Sequence, residues 1–184
     1  MDNLQKEKLY SQIQDEYGMV TYSYTTHLKM AKQLKKDNKR WKCAQILLSA
    51  ISTSAFIGIF FSNEKWISIV GTLISTALVV INSYLKELDH SGDSKNHLQT
   101  SKELWMIKNE YLSLLTDFDM LSMEDIRKIR DDLLQKTSNI YKNELDTDEK
   151  AYNEAQKALK DDEEQFFTQE ELNNMLPKLL RKDD

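Results

Sequence analysis

Two long stretches in the first half of the chain carry no charged residue. They cover residues 43–63 and 66–85, and only Glu64 and Lys65 separate them. As helices, each stretch would extend about 30 Å, the thickness of the hydrocarbon core of a bilayer. The apolar residues of each favour membrane insertion by on the order of 3 to 6 kcal/mol, which the Ser, Thr, Gln and Asn residues partly offset. The pattern predicts a two-helix transmembrane hairpin, and a buried hairpin in a soluble bundle is the alternative.

Residues 1–42 precede the hairpin and have the composition of a helix. We expect one break, near Gly18, and then a helix that runs directly into the first membrane span. Because 42 mostly polar residues come before the first apolar stretch, that stretch is not expected to be a signal peptide.

The helix that contains the second membrane span is predicted to end with Gly92 as its C-cap. The rest of residues 86–160 predicts amphipathic helices. Ser122 opens a predicted capping box between two helical stretches, which should pack as an antiparallel pair or against residues 1–42. Residues 161–184 predict an acidic linker and a short C-terminal helix, opened by a capping box of Thr168 with Glu171. The apolar positions of the two stretches are Leu104, Ile107, Tyr111, Leu114 and Phe118, then Ile126, Ile129, Leu133, Thr137 and Ile140. The predicted fold class is all-α.

Charge is distributed unevenly along the chain. The net charge of −5 divides into +4 for residues 1–42, 0 for residues 43–85 and −9 for residues 86–184. The acidic balance argues against direct DNA binding. Basic residues cluster before the first span, so the positive-inside rule predicts that both termini are cytoplasmic. The same cluster either binds anionic lipid headgroups or only sets the topology; its members nearest the membrane are Lys35, Lys36, Lys39, Arg40 and Lys42.

Signatures of enzymes and metal sites are not found in the sequence. Cys43 is the only cysteine, which excludes a disulfide framework. His27, His90 and His97 fall in polar segments without carboxylates at a recognised ligand spacing, and we expect them at the surface. The sequence therefore predicts no catalytic residue, no cofactor and no metal.

The two predicted membrane helices each carry a polar face. At 100° per residue, the polar residues of the second helix fall within about 120° of one another. On the first helix, small residues at every fourth position permit close approach of another helix. The polar side chains either line a water path enclosed by several chains, or bond to their own helix and hold the hairpin together. The candidate pore-lining residues are Ser68, Thr72, Ser75, Thr76, Asn82 and Ser83, and the candidate helix-packing residues are Ala50, Ser54 and Gly58.

The chain resembles the SLATT proteins, which are bacterial two-transmembrane effectors associated with SMODS and SLOG proteins, and is most similar to their fifth family. The resemblance covers nearly the whole length. It rests on the number and order of short segments, which are Tyr24-Thr25-Thr26-His27, Ile81-Asn82-Ser83-Tyr84-Leu85-Lys86, Glu103-Leu104-Trp105, Glu110 to Asp117, Lys150-Ala151-Tyr152, Ala155 to Leu159, and Leu176-Pro177-Lys178 with Leu180-Arg181.

This resemblance implies a pore-forming effector of an anti-phage, abortive-infection system in the bacterial inner membrane. A sensor protein or a nucleotide signal from a neighbouring gene product would trigger it. Our first hypothesis is therefore a homo-oligomer that permeabilises the lipid bilayer when triggered. The second is a non-conducting membrane anchor whose helices act as a scaffold for a partner.

Overall fold

The computed structural model describes residues 2–61 and 65–181, and all its regular structure there is helical. This confirms the predicted all-α class. The elements in chain order are α1 (Asp2–Phe61), α2 (Lys65–Glu87), α3 (His90–Thr116), α4 (Met123–Tyr141), α5 (Glu149–Lys160) and α6 (Gln169–Met175), followed by a 3₁₀ turn at Lys178–Leu180.

Helix α1 is a single rod of 60 residues, about 90 Å long. It joins the N-terminal arm to the first apolar stretch without interruption, as the sequence predicts. The predicted break near Gly18 is wrong. A glycine costs a helix interior only about 1 kcal/mol relative to alanine, and the completely buried side chains of Ile13 and Val20 pack on either side of it. Packing of the helix therefore outweighs the local preference.

Helices α2 and α3 follow one another back along α1, so that the molecule is a long antiparallel hairpin. Residues that bond across it run in opposite order on the two sides. The pairs, from the hairpin end to the N-terminal end of α1, are Ser52 with Ser75, Gln45 with Asn82, His27 with His97, and Lys6 with Asp119.

The junction between α2 and α3 is short because Asp89 restarts the helix. Its carboxylate accepts a hydrogen bond of 2.8 Å from the backbone N–H of Gly92 and so forms the N-cap of α3. Gly92 thus lies in the first turn of α3. The predicted C-cap at this residue is wrong, since α2 ends five residues earlier, at Glu87.

A hydrophobic core holds α3, α4 and the N-terminal half of α1 together. Helix α4 runs antiparallel to α3, and the Lys136 ammonium donates to the Glu110 carboxylate between them at 2.8 Å. The predicted packing of these stretches, with each other and with α1, is confirmed, except at Ile129, whose side chain is exposed. Helix α5 packs on α1 through Ala151, Ala155 and Ala158. The core cluster consists of Leu9, Ile13, Val20, Leu104, Ile107, Tyr111, Leu114, Phe118, Ile126 and Leu133.

Both predicted N-caps are present, with one difference in detail. Thr168 and Glu171 form the complete reciprocal capping box at the start of α6. At α4 the Ser122 hydroxyl accepts from the backbone N–H of Asp125, and it donates to the Asp125 carboxylate at 2.6 Å. The acidic residue therefore orients the cap side chain instead of returning to the cap backbone.

Candidate functional site

The hairpin formed by the end of α1 and by α2 exposes large apolar side chains. Among the described residues, one candidate membrane span is found, within Ser68–Thr116, and the apolar window that defines it has a mean hydropathy of 1.7 and no buried residue. The first predicted span, residues 43–63, falls partly outside the described residues. Residues that are about half exposed or more include Ile46, Leu47, Ile51 and Ile57 on α1, and Ile69, Leu73, Val79 and Val80 on α2.

Between the two helices of the hairpin, polar side chains bond to each other. The Gln45 amide donates to the Asn82 amide oxygen at 2.7 Å, and the hydroxyls of Ser52 and Ser75 lie 3.0 Å apart. The polar face of α1 therefore meets the polar face of α2 within one chain. Two of the candidate pore-lining residues, Ser75 and Asn82, hold the hairpin together.

The other hydroxyls of α2 bond to their own helix and border a groove. Thr72 donates to the Ser68 carbonyl at 2.8 Å, and Thr76 donates to the Thr72 carbonyl at 2.9 Å. The groove has a volume of about 410 Å³ and opens to the outside. It brings together four of the candidate pore-lining residues, whereas Asn82 and Ser83 lie outside it. Its lining is Ser52, Ser68, Gly71, Thr72, Ser75, Thr76 and Val79.

The small-residue face of α1 points away from the contact with α2. Ala50 and Ser54 are exposed, whereas Gln45 and Ser52, which bond to α2, are partly buried. The Ser54 hydroxyl donates to the Ala50 carbonyl at 3.0 Å and is therefore not free to donate to another molecule. The surroundings of Gly58, the third candidate packing residue, lie outside the described part of the chain. The face is therefore available to another molecule.

Aromatic residues mark two levels along the hairpin. The rings of Trp41 and Tyr84 meet edge to face with centroids 6.3 Å apart, where the apolar surface begins. Trp66, at the other end of α2, is 62% exposed. Trp66 and Tyr84 are separated by about 27 Å along the helix, close to the thickness of a hydrocarbon core. Trp and Tyr are enriched at both surfaces of membranes.

A buried histidine pair lies between the hairpin and the apolar core. The Nδ1 atoms of His27 and His97 are 2.9 Å apart, and His27 Nε2 is 3.2 Å from a carboxylate oxygen of Glu144. Because a carboxylate accepts, this contact places a proton on His27 Nε2, so that His27 Nδ1 accepts from the Nδ1–H of His97. Both imidazoles are then neutral, and the N–H of each has an acceptor.

Burial makes protonation of this pair unfavourable. Desolvation, and then the charge of His97, lowers the pKa of His27 to about 4. Desolvation also lowers the pKa of His97, against the opposing effects of Asp93 and Asp148. The prediction of surface histidines is wrong for His27 and His97, each 2% exposed, because the two imidazoles satisfy each other where α1 crosses α3.

The segment after α5 contacts the same region of α1. The Lys29 ammonium donates to the Glu164 carboxylate at 2.8 Å, and this bond lowers the pKa of Glu164. Gln165 donates to the Thr25 hydroxyl at 2.7 Å and accepts from Lys108 at 2.8 Å. Sequence reasoning missed this docking, since nothing in an acidic run indicates which lysine it will meet.

The basic residues before the hairpin divide between two faces of α1. Lys36 and Arg40 line a groove between α1 and α5. Lys35, Lys39 and Lys42 are exposed outside that groove. The candidate lipid-binding cluster is therefore two clusters.

The family model described as "SMODS and SLOG-associating 2TM effector domain family 4" matches residues 9–171. The chain belongs to this family. Membership supports a role as a membrane effector domain and confirms the resemblance to SLATT proteins, while the expected assignment to their fifth family is not confirmed. No curated protein and no solved structure matches the chain. For this SLATT-family chain, the candidate membrane span found among the described residues agrees with a membrane effector domain.

Proposed function

We propose that the chain is an oligomeric effector that permeabilises the bacterial inner membrane during phage infection. Both the end of α1 and α2 cross the bilayer, and both termini are cytoplasmic. The observation that carries the proposal is the hairpin itself, whose outer surface is apolar while a polar groove follows α2. The aromatic pair Trp41–Tyr84 favours a membrane boundary at its level on the hairpin. The basic residues of α1 beside it favour a cytoplasmic location of both termini.

A single hairpin cannot enclose a water path, so the proposed pore is built from several copies. The exposed face with Ala50 and Ser54 would allow helices of neighbouring copies to approach closely. Their α2 grooves, with Ser68 and Thr72, would then face a common axis. A trigger, such as a sensor protein or a nucleotide signal, would shift the equilibrium by binding the assembled state better than the separate one. No chemical reaction is part of this mechanism.

Expression level offers a test that needs no knowledge of the trigger, because assembly follows mass action. In bacteria producing the full chain, we expect membrane depolarisation to increase more than in proportion to the amount of membrane-bound protein. Thr72→Leu, which fills the groove, should suppress depolarisation. Val80→Leu adds bulk on the exposed apolar side and should leave it unchanged. Absence of depolarisation at every level of membrane-inserted protein would overturn the proposal.

The hydrogen bonds within the hairpin favour a second candidate function. Since Ser75 and Asn82 bond to α1, and Thr72 and Thr76 bond to their own helix, much of the polar face is satisfied without water. A non-conducting anchor that presents the cytoplasmic bundle to a partner would have these properties. Replacing the hairpin by an unrelated transmembrane hairpin distinguishes the two functions. If the native hairpin is only an anchor, the variant still protects bacteria against phage; if it forms the pore, protection is lost.

A further inference from the structure

We propose that the groove between α1 and α5 is a binding site for a phosphate group, formed by basic side chains of both helices around a buried amide. The groove lies beside the hairpin and has a volume of about 300 Å³. It is distinct from the polar groove of α2 and does not depend on conduction. The groups that would contact the anion are Lys32, Gln33, Lys36, Arg40 and Lys150.

Helix periodicity explains why three of the cations share this groove. Lys32, Lys36 and Arg40 follow one another at intervals of four residues, which places them one above the other on α1. Lys150 enters from the first turn of α5. Within the described residues, none of the three lysines has a carboxylate at ion-pair distance. Their ammonium groups are therefore available to a ligand.

Two carboxylates also line the groove, and they do not cancel its charge. Asp37 accepts a weak hydrogen bond of 3.4 Å from Arg40, and Glu154 lies on the α5 side. Four cations against two anions leave a surplus of two positive charges. A phosphate monoester, which carries between about −1.5 and −2 at neutral pH, matches that surplus.

A buried donor without a partner gives the groove a specific contact. The Nε2 atom of Gln33 is buried and has no hydrogen-bond partner among the described residues, although the side chain lines the groove. Buried polar atoms are nearly always satisfied, so this amide indicates a missing acceptor. A phosphate oxygen is such an acceptor, and the lysines around it would add charge-assisted hydrogen bonds.

The groove begins near the membrane boundary and extends away from it along α1, so the phosphate of a lipid or of a soluble compound can reach it. Arg40 directly precedes Trp41 at the boundary of the apolar surface, and Lys32 lies about 12 Å further along α1. A lipid headgroup at the boundary would reach Arg40 first. A soluble phosphate compound would reach Lys32 and Lys150 equally well.

Lysine acylation read by mass spectrometry tests the site in the full chain. The protein is placed in nanodiscs of phosphatidylcholine, with and without pyrophosphate, and in nanodiscs that also contain phosphatidic acid. We expect bound phosphate to slow acylation of Lys36 and Lys150 but not of Lys35 and Lys39. Protection by pyrophosphate in neutral nanodiscs identifies a soluble ligand, and protection by phosphatidic acid alone identifies a lipid. Equal protection of all four lysines, or of none, would overturn the proposal.

Charge-matched variants provide an independent measurement. The variant K36E/K150E should weaken pyrophosphate or phosphatidic acid binding about tenfold or more, which corresponds to about 1.4 kcal/mol. K35E/K39E changes the net charge equally on the other face and should have a much smaller effect. Gln33→Leu removes the buried donor without changing charge and should also weaken binding. Equal loss in the two double variants would mean diffuse attraction and no site.

Discussion

The Nδ1 atoms of His27 and His97 face each other at 2.9 Å across the contact between α1 and α3. This arrangement needs one nitrogen to donate and the other to accept, which two neutral imidazoles can do and two imidazolium ions cannot. Helix α1 continues from His27 into the hairpin without a break. A change in protonation of the pair therefore acts on the same helix that carries the proposed membrane span.

The histidine pair predicts a loss of stability in acid. The pKa of His27 is about 4 in the folded chain, against 6.5 for a free side chain, so the unfolded state binds more protons. The free energy of unfolding should thus be highest above about pH 6.5 and fall by on the order of 3 kcal/mol as the pH approaches about 4. His97, whose pKa is also lowered, acts in the same direction. Denaturant unfolding of the bundle at several pH values measures this slope.

Other groups near the pair require a control. Desolvation, and then the charge of Asp146, raises the pKa of Glu144, which reduces the loss in acid. Asp93 and Asp148 raise the pKa of His97, which also reduces the loss of stability in acid. The double variant H27Q/H97Q should be less stable at neutral pH and show a flatter pH dependence, whereas His90→Gln should leave the slope unchanged. A slope that is the same in all three proteins would contradict the role of the pair.

The bond between Gln45 and Asn82 predicts an energetic coupling within the hairpin. Polar contacts between membrane helices average about 0.6 kcal/mol in double-mutant cycles. We expect a coupling of this size between Gln45→Ala and Asn82→Ala when unfolding is measured in micelles or bicelles. Pairing Gln45→Ala with Ser83→Ala provides the control, since no hydrogen bond joins Ser83 to Gln45 in the described part of the chain and the two should not couple. Additive effects of the first pair would show that this bond does not hold the hairpin.

Two glycines predict opposite effects of the same substitution. A Cβ at Gly18 would meet nothing within 4 Å, and a helix interior favours alanine, so Gly18→Ala should stabilise by about 0.5 to 1 kcal/mol. A Cβ at Gly92 would overlap the Asp89 carboxylate that caps α3. Gly92→Ala should therefore destabilise by about 1 kcal/mol, the typical value of an N-cap. Thermal unfolding of the two variants measures both, and a stabilising Gly92→Ala would show that the cap is dispensable.

Helix faces defined by periodicity, and two of the three predicted caps, were predictable from the sequence. The apolar stripe from Leu104 to Phe118 is buried at every predicted position, because a spacing of three and four residues fixes one helix face whatever covers it. The N-caps at Ser122 and Thr168 are equally local, since the cap bonds a backbone N–H three residues away. The uncharged stretch in α2 can be identified as a candidate membrane span from its length and composition alone.

Features that depend on partners distant in the sequence were not predictable. Nothing beside His27 indicates that His97, seventy residues away, will satisfy it. The polar faces of α1 and α2 were identified, but their pairing within one chain depends on how the helices are rotated about their axes. The contribution of Lys150 to the basic groove was not predictable for the same reason, because α5 meets α1 only in the folded chain.

Contact between copies through the small-residue face can be tested with the native cysteine. Cys43 is exposed, and at 100° per residue it lies within about 20° of both Ala50 and Ser54 around α1. If copies pack through this face, mild oxidation of membranes containing the full chain should produce a disulfide-linked dimer through Cys43. Ala50→Leu with Ser54→Leu should reduce the dimer severalfold, since bulky residues prevent close approach of the helices.

The position of the cysteine provides the control for this experiment. Moving it to the neighbouring face, by Cys43→Ser with Lys42→Cys, keeps the thiol at nearly the same height on α1 but turns it by about 100°. This variant should cross-link much less than the native chain. Equal cross-linking from both positions would mean random collision in the bilayer, and the small-residue face would then have no part in assembly.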